Sequence, residues 1–265
     1  MNSRPSPSEG PENRSGERVI DLSVEVVGTP EEVWTAIATG PGISSWYVPS
    51  TIEEHEGGTT TSRFGEGPEM VIPGRVAAWE PPHRVLFVGA AEPSLAFEWL
   101  VEARGQGSCV VRLVNSGFYD GSPWEDQYDG LAEGWPLFLH NLKLHLEHFA
   151  GQRATAMLPM AMWRGDQDRH WARLTGALGI PANPQVGDRV RSTAAQAPEF
   201  AGVVALAGPS RAWFILDSPA PGTGFLACEG DGISIWQYLY GDDAEAIVQR
   251  DAPRWNKWLA DHAGG

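Results

Sequence analysis

Cysteine is nearly absent: Cys109 and Cys228 are the only two in 265 residues. Two isolated thiols make neither a disulfide framework nor a thiolate metal cluster. Both fall inside strand-like segments, so they read as buried, reduced and structural, and a cytoplasmic location is the expectation. Basic charge is also scarce. Nineteen Lys and Arg face 34 Asp and Glu, a formal net charge of −15 and a pI near 4.8. Phosphate binding needs a basic face, so neither nucleic acid nor an anionic membrane surface is an expected partner. No apolar run approaches the roughly 20 residues of a membrane span. The N-terminus lacks the charged-then-apolar pattern of a secretory signal. A nucleophile elbow, a phosphate-cradling glycine loop and a dinucleotide fingerprint are all missing. No catalytic residue, no cofactor and no metal site is expected.

What is abundant is tryptophan, twelve residues, in a chain that is 42% hydrophobic. Residues 1–16 are proline, serine, glycine and charge, and are expected to be a disordered tail. Arg18 to Val27 alternates, with Ile20, Leu22, Val24 and Val26 on one side, as a half-buried strand does. Thr29, Pro30 and Glu32 make a capping box for a short helix carrying Val33, Trp34 and Ile37. Trp46 and Tyr47 follow in a loop or short turn of helix. Strand-like segments then run Ser50–Glu54, Thr59–Phe64, Glu69–Trp79, Arg84–Gly89, Leu95–Glu102 and Ser108–Ser116. The turns between them are too short for parallel crossovers, so the sheet is antiparallel. Leu95, Phe97, Trp99 and Val101 share its inner face, as do Cys109, Val111, Leu113 and Asn115. Asn115 is then polar on a buried face, either bonded to backbone at the strand end or a ligand anchor.

Ser122 to Gly151 is the longest helical pattern. Ser122, Pro123 and Glu125 suit an N-cap, first-turn proline and capping-box acid. Trp124, Tyr128, Leu131, Trp135, Leu139, Leu142, Leu146 and Phe149 form one apolar stripe. Asp126, Asp129 and Glu133 suit the positive end of the helix dipole. Pro136 predicts a kink or break. The bend either leaves a solid core or opens a hollow under the aromatic front half. His140, His145 and His148 are spaced by five and three, with no converging third ligand, and read as solvated helix-face residues rather than zinc ligands.

The same order of elements recurs after Gly151. Asp166 caps a helix with His170, Trp171, Leu174 and Leu178. Strand-like pieces run Asp188–Thr193, Phe200–Ala207, Arg211–Asp217, Gly224–Glu229 and Ile233–Tyr240. Asp242 and Glu245 make a capping box for a last helix through His262. Gly202 to Ala205 repeats Gly74 to Ala77, and Pro209, Arg211 and Phe214 follow as Pro81, Arg84 and Phe87 do. Trp171 and Leu174 stand like Trp34 and Ile37, and Trp255, Trp258 and Leu259 like Trp135, Phe138 and Leu139. Repetition on this scale reads as a duplicated domain.

Four stretches carry a family resemblance: TPEEVWTAI from Thr29, GRVAAWEPPHRVLF from Gly74, VVRLVNSGF from Val110 and GLAEGWPLFLHNLKLHLE from Gly130. With the element order, they make residues 17–152 resemble the SRPBCC or START-like helix-grip superfamily, which includes the major birch-pollen allergen. Within it they resemble the family of the activator of heat shock protein 90 ATPase (AHSA1-like). The resemblance implies an α+β fold, a curved antiparallel sheet around a long C-terminal helix. Residues 153–265 are read as a shortened second copy. It also implies binding of a small apolar molecule without catalysis. A protein partner, as for a co-chaperone, and a cyclase-type enzyme are the other readings. The family has no universal catalytic residue to carry over. A ligand is expected between helix and sheet, walled by Trp124, Tyr128, Leu131 and Trp135 on one side and Phe97, Trp99, Val111 and Leu113 on the other. Trp46 and Tyr47 would close the mouth, and Tyr128 and Asn115 would orient the guest.

Overall fold

Residues 17–263, apart from Glu66, Asp120 and Pro123, are described by the computed structural model of the chain. The expected tail, the first-turn proline at 123 and the centre of the Gly65–Gly67 turn lie outside the described residues. The alternating N-terminal segment is strand β1 (Arg18–Val27), followed by helices α1 (Pro30–Ala38) and α2 (Gly40–Ile43). Six strands come next: β2 (Ser50–Ile52), β3 (Thr59–Arg63), β4 (Val71–Glu80), β5 (Arg84–Gly89), β6 (Ala96–Arg104) and β7 (Ser108–Phe118). They form one antiparallel sheet in the order β1-β7-β6-β5-β4-β3-β2. The long helix α3 (Tyr128–Phe149) lies against it. The capping box of α1 is present: Glu32 N–H donates to Thr29 Oγ1, and Thr29 N–H to Glu32 Oε2.

The start of α3 differs from expectation. A 3-10 turn at Glu125–Gln127 precedes it, and its N-cap, Gln127, makes no side-chain bond. Ser122 N–H donates to Tyr119 O, and the Glu125 carboxylate takes Gly121 N–H instead. The capping box at Ser122 is therefore absent: the Glu125 carboxylate is spent on Gly121, and the buried Ser122 hydroxyl has no partner among the described residues. The helix runs unbroken through Pro136.

After α3 come β8 (Thr155–Met157), β9 (Met160–Met162), α4 (Gln167–Leu178), β10 (Arg189–Arg191), β11 (Ala201–Gly208), β12 (Arg211–Ser218), β13 (Gly222–Glu229), β14 (Gly232–Leu239) and α5 (Ala244–Asp261). Asp166 caps α4 by accepting from Arg169 N–H. The box expected at Asp242 and Glu245 does not form: α5 starts after Asp243 without a side-chain cap, and Glu245 accepts from Gln249 instead.

The second sheet has the order β10-β11-β12-β13-β14-β8, with β9 also on β14. This is the first sheet with one strand fewer, its N-terminal strand split into β8 and β9. The likeness extends to irregularities. In β4–β5 the register slips between Val76 and Ala78, and in β11–β12 between Val204 and Leu206. Val76 pairs with Phe87 and Val204 with Phe214. Val76 exchanges backbone bonds with Gly57 and Gly58, and Val204 does so with Gly187 and Asp188. A conserved bulge at the same place in each half is hard to obtain from chance α+β alternation, because bulges are local features with specific causes. The chain is a duplicated helix-grip fold.

The two halves share α3. One side of this helix, Trp135, Leu139, Leu142 and Leu146, packs on the first sheet. The other, Leu137, Phe138 and Leu144, packs on Trp213, Phe225, Trp236 and Tyr238 of the second. The single stripe expected from sequence is thus two stripes. The second sheet is buried on both faces, since Phe214, Leu226 and Ile235 point the opposite way, toward α4 and α5. That accounts for the near-continuous burial of β13 and β14 in place of alternation.

His145 shows the consequence most clearly. It is buried between the halves, not solvated, and its Nδ1 lies 2.6 Å from the Tyr240 hydroxyl. Burial lowers its pKa from 6.5 to about 4. The unfolded chain therefore binds the extra proton between these values. Stability is expected to fall as pH drops from about 6.5, with the full loss of about 3 kcal/mol reached below about pH 4. Chemical denaturation of wild type and His145→Gln at pH 7 and pH 4.5 checks this. The variant should lose less stability over that interval than wild type.

Candidate functional site

A cavity of about 140 Å³ opens between the β2–β5 side of the first sheet, α2 and the middle of α3. Its inner wall is aromatic: Tyr47, Phe64, Phe87, Phe97, Trp99 and Trp135. These come together because strand alternation turns Phe87, Phe97 and Trp99 inward and α3 brings Trp135 over them. Trp135 meets Trp99 and Phe97 edge-on at 5.6 and 5.8 Å and stacks on Tyr47 at 5.2 Å. Its indole N–H donates to Asn115 Oδ1 at 3.3 Å.

Hydroxyls supplied by the β2–β3 hairpin form the outer wall. Ser50, Thr60, Thr61 and Ser62 border the cavity. The Ser50 and Ser62 hydroxyls are 3.2 Å apart, whereas strand alternation turns Thr61 to the other face of the sheet, where its hydroxyl lies 2.7 Å from that of exposed Thr51. Gly74 permits the close approach that shapes this wall: a Cβ there would sit 2.7 Å from Thr60 Oγ1 and 2.8 Å from Val88 O. Ile72, at the rim, is 52% exposed. Among the described residues Tyr47 is the only titratable group in the lining. Burial pushes its phenol pKa well above the ordinary value, so it stays protonated at neutral pH, and its hydroxyl has no hydrogen-bond partner among the described residues.

Of the residues expected at a ligand site, Tyr47, Phe97, Trp99 and Trp135 line this cavity. Trp46 is wholly buried, its indole N–H on Ala36 O. Val111 and Leu113 are core. Asn115 is also fully buried; its amide donates to Ala96 O while its oxygen receives Trp135. The backbone bond at the strand end is therefore present, and its other partner is a core indole. Tyr128 and Leu131, at the front of α3, and Trp124, just before the 3-10 turn that precedes it, pack on the first core. There Trp124 donates to Pro93 O, and Tyr128 lies under the Arg18 guanidinium at 4.2 Å. The hydroxyl row of β3 and the inward Phe87 were missed. Their signal was present in the run Thr59–Ser62, three threonines and a serine on a short strand.

Neither cysteine lines the cavity; both are free and buried. Burial pushes the Cys228 thiol up to about 12 and also raises that of Cys109. Among the described residues no group of three His, Cys, Asp or Glu side chains is placed to hold a metal ion. No helix among the described residues is long and apolar enough to cross a membrane.

A sheet wrapped on a long helix, with a cavity between them, defines a protein of the helix-grip class. Residues 28–147 match the family described as Activator of Hsp90 ATPase homolog 1-like protein, and this segment is an AHSA1-like domain. No curated protein matches the chain. Among solved structures, the di-domain ARO/CYC BexL from the BE-7585A biosynthetic pathway is similar over 94% of this chain and 99% of its own, at 14% identity and a TM-score of 0.45. Protein MLL2253 from Mesorhizobium loti is similar over 50% of this chain and 98% of its own, at 20% identity and a TM-score of 0.43. The Aha1 dimer from Colwellia psychrerythraea is similar over 49% and 97%, at 21% identity and a TM-score of 0.41.

Proposed function

We propose that this protein binds a small apolar molecule, without transforming it, in the cavity between the first sheet and α3. The observation that carries this reading is the lining: aromatic rings within, and a row of serine and threonine hydroxyls at one wall. About 140 Å³ is below the usual range for drug-sized ligands, roughly 300–1,000 Å³. It is close to the roughly 150 Å³ in which an apolar cavity accepts a benzene ring. The guest is therefore a single-ring molecule, or one ring of a larger one whose polar edge meets Thr60 and Ser62. Site residues are Tyr47, Phe97, Trp99 and Trp135 from the sequence expectation, joined by Phe64, Phe87 and the hydroxyl row. The unit that carries the site is 17–152, with 153–265 as its shortened copy.

Binding is favoured over cyclase-type catalysis because Tyr47, held protonated, is the only titratable side chain in the lining among the described residues. It is favoured over a protein-interaction role because the second apolar side of α3, the surface a partner would cover, is already taken by Trp213, Phe225 and Trp236. Filling the cavity tests the reading. Ile52, half-buried in the lining, is expected to tolerate Ile52→Phe with a stability change under about 1.5 kcal/mol, since the added volume enters empty space. Native mass spectrometry of the purified wild type should show an adduct that Ile52→Phe lacks. An adduct of equal abundance on the variant would place any ligand elsewhere.

A further inference from the structure

A second concavity, about 330 Å³, lies between α1, α2 and the C-terminal turn of α3, and shares no lining residue with the aromatic cavity. Its floor includes His145, which is only 2% exposed. The Tyr240 hydroxyl is 3.3 Å from Ser45 O, which can only accept, and 2.6 Å from His145 Nδ1. With the phenol proton on Ser45 O, Nδ1–H donates to the phenol oxygen. Nε2 then carries a lone pair, and it has no hydrogen-bond partner among the described residues. Around it the groove offers acceptors. Thr35 and Thr39 have given their hydroxyl protons to Glu31 O and Thr35 O, and Thr39 Oγ1, which already accepts Gly42 N–H, keeps one lone pair. Glu32 keeps one carboxylate oxygen beyond its bond to Thr29, and Glu54 stands free on the rim. The negative end of the α3 dipole closes the groove. Arg153 is the one cationic side chain in its lining, and it forms no ion pair among the described residues.

We propose that this groove is a second binding site, for a small protonated amine that donates an N–H to His145 Nε2 and sets its charge against Glu32 and Glu54. The acceptor-rich lining, the buried lone pair and the helix C-terminus all select a ligand that is both cationic and a hydrogen-bond donor. A metal ion is the poorer fit, because no third metal-ligating side chain converges there among the described residues.

The test uses the full chain labelled with ¹⁵N-histidine at pH 7, titrated with n-propylammonium, tetramethylammonium and propionate. Nε2 of His145 should read as an unprotonated nitrogen in the free protein and shift saturably with n-propylammonium. Tetramethylammonium, which has the charge but no N–H, and propionate should not move it. Glu54→Gln, on the exposed rim, should weaken the amine by about two- to fivefold. An Nε2 that already carries a proton, a shift with tetramethylammonium or propionate equal to that with the amine, or no saturable shift at all would overturn the proposal. So would a Glu54→Gln variant with unchanged affinity. None of these outcomes depends on the aromatic cavity being occupied.

Discussion

Trp135→Ala is expected to cost about 3–5 kcal/mol of stability, the usual range for removing a buried aromatic. For a chain of this size that lowers the melting temperature by roughly 10 °C. The side chain is 4% exposed and touches four other rings: Tyr47, Phe97, Trp99 and Phe138. Its removal also leaves Asn115 Oδ1 without the indole N–H it accepts, in a residue with no exposure to water. The same substitution enlarges the cavity it borders. Thermal unfolding and binding of a two-ring probe such as naphthalene, measured on the same sample, should therefore move in opposite directions: less stability, more probe bound. A variant that is as stable as wild type would mean that Trp135 is not core.

Phe225→Ala should cost a similar amount, about 3–5 kcal/mol, and its effect should reach the other half of the chain. The ring is 1% exposed and sits 5.9 Å from Phe138 of α3 and 5.6 Å from Trp236. Because α3 is core to both sheets, the halves are expected to unfold in one transition. Truncating a residue of β13 should then lower the midpoint seen by first-half reporters such as the indole signals of Trp46 and Trp99. Two separate transitions, with those signals unmoved by the substitution, would show that the contact through α3 does not couple the halves.

Much of the first sheet was legible because its faces differ: alternation in β1, β6 and β7 sorted inward from outward residues, and Pro and Gly marked the turns. The repeat was legible for another reason. Gly74–Ala77 and Gly202–Ala205 carry the same bulge, so the backbone irregularity constrained both copies alike. The double role of α3 had a signal that one-stripe reading passes over. Between Trp135 and Leu146 the helix is apolar on nearly every side, and a helix of that kind is buried all round. Reading Leu137 and Leu144 as a second stripe would also have placed His145 inside. The cavity was harder to foresee. Its position depends on where side-chain volume falls short between α3 and the β2–β5 side, and periodicity reports which face a residue takes, not how well the space is filled. Tyr128 only opens α3, and Trp124 lies before the 3-10 turn that precedes it, off the helix that the stripe assumed; Arg18 engages the first and Pro93 the second.

The central claim is that the space beside Trp135 receives an apolar guest of about one ring. The direct measurement is a titration of the ¹⁵N-tryptophan-labelled protein with toluene, following the indole N–H signals of Trp135 and Trp99 in wild type and Ile52→Phe. Both signals should shift saturably in wild type and stay in place in the filled variant. Signals that do not saturate, or that shift equally in Ile52→Phe, would contradict it.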